Sequence, residues 1–152
     1  MFRVSPTKIR KSLKAGHISF IYDLNFFDLF KLPVRYDINK MDLVQYYNVN
    51  KQQPYIKDVF KILNDDVKRA SYILKLRGIK VDHIKDDFIK DFKYNPYMLP
   101  ALKEEVNEAL ENVKNDFAMC IDYDENLSAN KHYILIYKLT RLNDEIFKKI
   151  NG

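Results

Sequence analysis

Leu63–Asn64–Asp65–Asp66–Val67–Lys68–Arg69–Ala70–Ser71–Tyr72–Ile73–Leu74–Lys75–Leu76 is the stretch on which the fold turns. Val67, Ala70, Ile73 and Leu74 recur at helical spacing, and Asp65 and Asp66 supply the negative charge that favours a helix start. Gly78 then stands where a left-handed C′ residue ends a helix. Just upstream, Tyr55, Val59, Ile62 and Leu63 share one face, with Ile56 and Phe60 beside them, and the pattern of Val67, Ala70, Ile73–Leu74 and Arg77 continues that face to Gly78. Such stripes must be buried against other elements. No run in the chain alternates long enough to demand a strand, and 3 Gly and 5 Pro in 152 residues argue against a loop-rich all-β fold. The expectation is an all-α protein.

Toward the N-terminus, Leu24, Phe27 and Phe30–Lys31–Leu32 form a short helical pattern behind Asp23 as N-cap, and Pro33 stops it. Asp37 or Asn39 caps a helix of about two turns from Met41 to Tyr47, and the polar Asn48–Pro54 stretch reads as a loop. Toward the C-terminus, Pro96 and Pro100 mark a helix start. Two longer helices, Ala101–Met119 and Tyr133–Ile150, follow, separated by the acidic, Asn-bearing stretch Asp122–Asn130. The segment 78–94, rich in Lys and Asp, is expected as the joint between helical lobes at 23–77 and 95–152.

Charge is unevenly placed. Residues 1–22 hold Arg3, Lys8, Arg10, Lys11 and Lys14 with no acid, so the remaining chain carries 21 bases (26 − 5) against 21 acids. A neutral body lacks the cation excess that phosphate binding requires, so no nucleic-acid partner is expected. The leader has the Arg/Ser content, absent acids and amphipathic potential of a mitochondrial transit peptide, a solvated basic arm being the plainer reading. No stretch approaches the ~20 apolar residues of a membrane span. A lone Cys120 excludes an intramolecular disulfide, and no Cys/His spacing suits zinc.

Apparent chemical sites dissolve when spacing is tested. Asp122, Asp124 and Asn126 imitate the opening of a calcium loop, but Leu127 occupies its glycine position and Tyr133 its closing acid position. His17, His83 and His132 lie far apart and read as isolated surface side chains. The pairs Asp65/Asp66, Asp86/Asp87 and Glu104/Glu105 are sequence neighbours that diverge on a helix, so helix-start charge explains them better than acid/base chemistry. No catalytic residue, metal ligand or cofactor is assigned, and no enzymatic activity is expected.

Two phrases carry a family resemblance. Asn25–Phe26–Phe27–Asp28–Leu29–Phe30–Lys31–Leu32–Pro33, followed by Ile38–Asn39, resembles the opening of the HscB-type J-proteins, co-chaperones of iron–sulfur cluster assembly. The Leu63–Leu76 stretch is similar to the family's Leu-x-Asp-Pro-x-x-Arg-Ala-x-Tyr-x-Leu-x-Leu phrase. The resemblance implies a J-domain-like lobe and a C-terminal helical lobe, an IscU-type scaffold protein and a DnaK-type chaperone as partners, and a compartment that is mitochondrial or mitochondrion-derived, with the cytoplasm as alternative.

The resemblance also exposes a gap. J-proteins of this type trigger the chaperone ATPase with His-Pro-Asp after a long basic second helix, and here no His precedes Pro. Gln53–Pro54–Tyr55 is either a relic of that tripeptide or a proline of the kind common before any helix. Gln and Tyr cannot reproduce an imidazole and a carboxylate, so ATPase stimulation is not expected. For the scaffold, Met98–Leu99–Pro100–Ala101–Leu102 resembles the family's Leu-Met-x-x-Leu phrase, with Glu104 or Glu105 as the acid and Leu135 or Tyr137 on the last helix. Met98, Leu99 and Leu102 at helical spacing are equally well core residues.

Overall fold

The computed structural model of the chain describes residues 25–152. The leader 1–22 and the Asp23 cap lie outside the described residues. Every regular element among those described is helical, as expected, and the chain divides into two units between Lys80 and Val81.

The first unit holds α1 (Phe26–Leu29), α2 (Lys40–Asn50), α3 (Ile56–Leu63) and α4 (Asp66–Leu76). Asn25 starts α1 with a capping box: its side chain accepts from Asp28 N–H, and the Asp28 carboxylate accepts from Asn25 N–H. After one turn, Lys31 adopts φ 58° and the Leu32 N–H reaches Phe27 O, a Schellman closure that ends the helix before Pro33 does. Asn39 is the cap of α2, accepting from the N–H groups of Met41 and Asp42. This helix runs one turn further than the sequence pattern, through Asn48–Asn50, because the Asn50 amide folds back to donate to Tyr46 O and supplies a local stop.

α2 and α3 pair antiparallel. Lys40 Nζ at one end donates to Asn64 O, while toward the other end Tyr47 stacks on Phe60 with centroids 4.2 Å apart. Phe27, Phe30, Leu43, Leu63, Ile73 and Leu74 fill the centre, each buried side chain contributing roughly 1.5–3 kcal/mol. Asp65 caps α4 by accepting from Val67 and Lys68 N–H, and Gly78 closes it at φ 74° with Ile79 N–H on Leu74 O.

Arg69 and Tyr72 explain why the quoted stretch is spelled as it is. Arg69, only 4% exposed, donates from Nε to Tyr36 O, from Nη1 to Leu63 O and from Nη2 to the Asp66 carboxylate, and its guanidinium lies 4.5 Å from the Tyr36 ring centroid. One side chain thereby ties the loop before α2 to the α3–α4 corner. Tyr72 stacks on Phe26 at 4.3 Å and its hydroxyl accepts the Phe26 N–H, so α4 anchors α1.

The second unit is a long antiparallel hairpin of α6 (Leu99–Asp122) and α7 (Asn126–Asn151), with α5 (Asp87–Lys90) laid on α7 and a 3₁₀ turn at Pro96–Met98 leading into α6. The break expected over 122–130 shrinks to 123–125. Asp124 takes φ 59°, Glu125 N–H bonds Cys120 O, and Glu125 O already receives Ala129 N–H, so residues 126–130 are the first turn of α7. Residues from Val81 onward, within the expected joint, cluster with this unit. Phe92 packs on the cluster of Leu99, Val106 and Ile146, and Asp86 receives hydrogen bonds from Tyr137 and Arg141 at 3.3 Å each.

Candidate functional site

In the first unit the surface in question is α2 and the turn after it. The basic face associated with a J-protein second helix is absent: Lys40 is the one cation of α2, and it is committed to Asn64 O at 2.9 Å and Asp66 at 3.3 Å. Met41, Val44 and Val49 are exposed instead. An open groove of about 390 Å³ separates the Phe30–Leu32 turn from the Asp42–Asn50 side of the helix. Gln53 and Pro54 are exposed in the turn, but Gln53 is turned inward along the chain, its N–H on Asn50 O and its side-chain amide on Asn50 Oδ1. Tyr55 holds φ 74°, a strained conformation for a residue with a Cβ, as it opens α3. The turn offers a partner no imidazole and no carboxylate.

In the second unit the structure separates the residues that the Leu-Met-like phrase grouped. Leu99 is 6% exposed and sits in the core with Val106 and Ile146; Leu102 packs against the same cluster. They hold the hairpin together, the core place that the helical spacing left open beside the exposed patch. The reason is register: α6 begins opposite Ile146, so positions 99, 102 and 106 face α7. Met98, in the turn before, is 56% exposed, and Glu104 and Glu105 are exposed on α6. Leu135 is exposed and Tyr137 half-buried, its hydroxyl donating to Asp86, with burial and that carboxylate pushing its pKa up. Neither lies beside Met98. Lys103 bonds Asn143, which fixes the register, and Leu135 lies eight residues, or about 12 Å of helix axis, from that level on the side away from Met98.

The sequence pattern overlooked Phe147 and Ile150, both exposed at the Met98 end. A signal was available, since Phe147 and Ile150 lie beyond the apolar stripe Leu139–Leu142–Ile146 that the hairpin needs.

His132, expected as isolated, lies between Cys120 and Asp116. Its Nδ1–H donates to Ser128 O at 2.7 Å, the thiol lies 3.8 Å from Nδ1, and Nε2 faces Asp116 at 3.8 Å. Burial, with Glu125 and Asp116 nearby, pushes the Cys120 thiol up, the opposite of what a nucleophile requires. Asp124, the middle residue of the calcium-like run, is the left-handed closing residue of α6. Among the described residues there is no group of three or more His, Cys, Asp or Glu side chains placed to hold a metal ion. No described helix is long and apolar enough to cross a membrane.

No protein-family model matches the chain. Curated relatives do. A co-chaperone protein HscB homolog from Acinetobacter baumannii is 36% identical over 102 residues, covering 57% of this chain and 58% of the relative. Another, from Shewanella baltica, is 28% identical over 142 residues, covering 78% of each. The fold agrees: the chaperone HscB from Vibrio cholerae superposes with a TM-score of 0.70 at 17% identity, over 84% of this chain and 98% of that one. The chain is similar to HscB-type proteins in sequence and in fold. It spans 58% of the length of the Acinetobacter relatives it matches. Within that likeness it departs from the J-protein pattern at α2 and the turn after it, where the expected cations and His-Pro-Asp are absent from the sequence.

Proposed function

We propose that the chain is a co-chaperone-type adaptor in iron–sulfur cluster assembly, in which the second unit carries an IscU-type scaffold protein and the first unit faces a DnaK-type chaperone. What carries this reading is the presence, in one chain akin to proteins named HscB co-chaperones, of a J-like helical hairpin and a second helical unit with exposed apolar side chains. Met98, Glu104, Glu105 and Leu135 are the exposed members of the scaffold-contacting set; Tyr137, half-buried against Asp86, contributes least. Leu99 and Leu102 support the set from within.

The chaperone contact is reduced. A neutral α2 gives no steering toward an acidic chaperone surface, and Gln53–Pro54–Tyr55 lacks the imidazole and the carboxylate of His-Pro-Asp. This favours a second reading, a helical protein-interaction module with no chaperone role. The leader's five bases and absent acids support delivery to a mitochondrion or an organelle derived from one, the cytoplasm being the alternative.

Affinity capture with purified scaffold and purified DnaK-type chaperone separates the readings. The adaptor retains scaffold and brings it to chaperone; retention of neither leaves only the module. Deleting residues 1–22 and following a reporter fusion tests the compartment: organelle import without them would refute the leader's role.

A further inference from the structure

The outward face of α2 is short of charge for this chain. Residues 41–50 hold Asp42 as their one charged side chain, whereas 31% of all residues are charged. Met41, Gln45, Asn48 and Val49 recur at helical spacing on one side of α2, and Met41 and Val49 are 71% and 78% exposed. Charge depletion around exposed Met and aliphatic side chains is the composition of an interface centre, not of a solvated helix.

The groove beside this face adds a second feature. Its volume is about 390 Å³, and it is lined by the apolar side chains of Phe30, Leu32, Tyr46 and Val49 together with one cation, Lys31, and one anion, Asp42. Both charged residues are exposed, and neither side chain has an ion-pair or hydrogen-bonding partner among the described residues. Lys31 is set at the groove by its own backbone, through the φ of 58° that closes α1 and an N–H bond to Asp28 O at 3.1 Å. A partner surface of a single sign would gain from one of the two charges and lose by the other. A surface bearing both in the same relation satisfies them together, and the chain itself has that surface.

We propose that the α2 face and its groove form an isologous interface whose occupant is a second copy of this chain, paired antiparallel through α2 with Lys31 of each copy against Asp42 of the other. A two-fold axis at Gln45 sets Met41 against Val49 of the second copy, because each lies four residues, or about 6 Å of helix axis, from that centre. Gln45 then meets its own counterpart, and an amide that both donates and accepts pairs with its copy. The adaptable Met41 side chain fills the groove of the second copy beside Val49. The face offers fewer residues a side than the roughly 20–30 of a standard interface, so the pair is weak and forms only as concentration rises. This pairing is independent of the adaptor reading, since it needs neither scaffold nor chaperone.

Sedimentation velocity of the full chain over a range of concentrations tests the pairing. The unaltered chain should pass from monomer to dimer as concentration rises. Lys31→Glu and Asp42→Lys, each alone, should weaken association at least tenfold, with helical content unchanged by circular dichroism. Mixed in equal amounts, the two variants should recover the dimer, because a pair made of one of each meets opposite charges at both contacts, whereas either variant with itself meets like charges at both. That recovery also shows that neither variant has lost its fold. Leu127→Ala, 84% exposed in the second unit, should leave the equilibrium within twofold. A chain that stays monomeric at every concentration, a dimer indifferent to both charge reversals, or no recovery on mixing would overturn the proposal. Loss of association in Leu127→Ala would overturn it as well, by moving the contact to the second unit.

Discussion

Replacing Arg69 by Met should remove most of the stability of the first unit and none of the second. The substitution keeps much of the side-chain volume but deletes three donors, leaving the carbonyls of Tyr36 and Leu63 without their Arg69 partner in a site where Arg69 itself is 4% exposed. A hydrogen bond to a charged group contributes about 1.5–3 kcal/mol, and breaking a buried ionic arrangement costs about 3–5 kcal/mol. The Asp66 carboxylate still has Lys40 at 3.3 Å, which holds the loss toward the lower half, roughly 3–4 kcal/mol. At about 0.05–0.15 kcal/mol per residue, the 25–80 region holds on the order of 3–8 kcal/mol in total. Arg69→Lys should cost less but not nothing, because an ammonium cannot reach three divergent acceptors at once. Hydrogen exchange read by mass spectrometry is the suitable assay, since it reports peptides of α1–α4 and of α6–α7 separately in one sample. Protection of α3 and α4 within about 1 kcal/mol of the unaltered chain would refute the assignment of Arg69 as the tie between the loop before α2 and the α3–α4 corner.

Leu99→Ala should destabilise the second unit by about 2–5 kcal/mol, whereas Met98→Ala should stay within about 0.5 kcal/mol; urea unfolding that ranks them the other way would restore the exposed-patch reading of Leu99. Tyr72 has its pKa raised, chiefly by burial, so it favours folding fully below the ordinary tyrosine value of about 10 and loses that contribution as pH rises through its higher folded value. Stability measured from pH 9 to 12 should therefore fall more steeply, by up to about 1.4 kcal/mol per pH unit, in the unaltered chain than in Tyr72→Phe. At pH 7 the same substitution costs about 1–3 kcal/mol by orphaning the Phe26 N–H. Single-turnover assays with a DnaK-type chaperone should show no ATPase stimulation, and Gln53→His with Tyr55→Asp should not create it, because α2 has no cation but the committed Lys40; a rate increase in the double variant would place the trigger in the turn alone.

The helical class was open to reading because it rests on local terms. Spacing of apolar residues, helix-start charge at Asp65 and Gly78 as a left-handed stop act within a few residues of themselves and are kept, while of Asp37 and Asn39 the structure takes Asn39 as the cap and it breaks the Tyr55–Gly78 pattern at Asp65. Reading failed where a partner distant in the chain decides the outcome. Residues 126–130 look like loop by composition, yet Ala129 is fully buried in the hairpin and makes them helix. Residues 81–94 look like a linker by charge, yet Phe92 reaches the core and Asp86 meets Arg141, 55 positions away.

The candidate site divides along the same line. Sequence alone determined that α2 carries no row of cations and that no His-Pro-Asp is present, since both are matters of which residues exist. It also marked the Met98–Leu102 phrase without deciding which side chains face water. Only the tertiary structure decided that, because the register of α6 against α7 buries Leu99 and Leu102, leaves Met98 out, and carries Phe147 and Ile150 past the end of their cover. Helical period says which residues share a face; where the facing helix begins says which of those faces is covered.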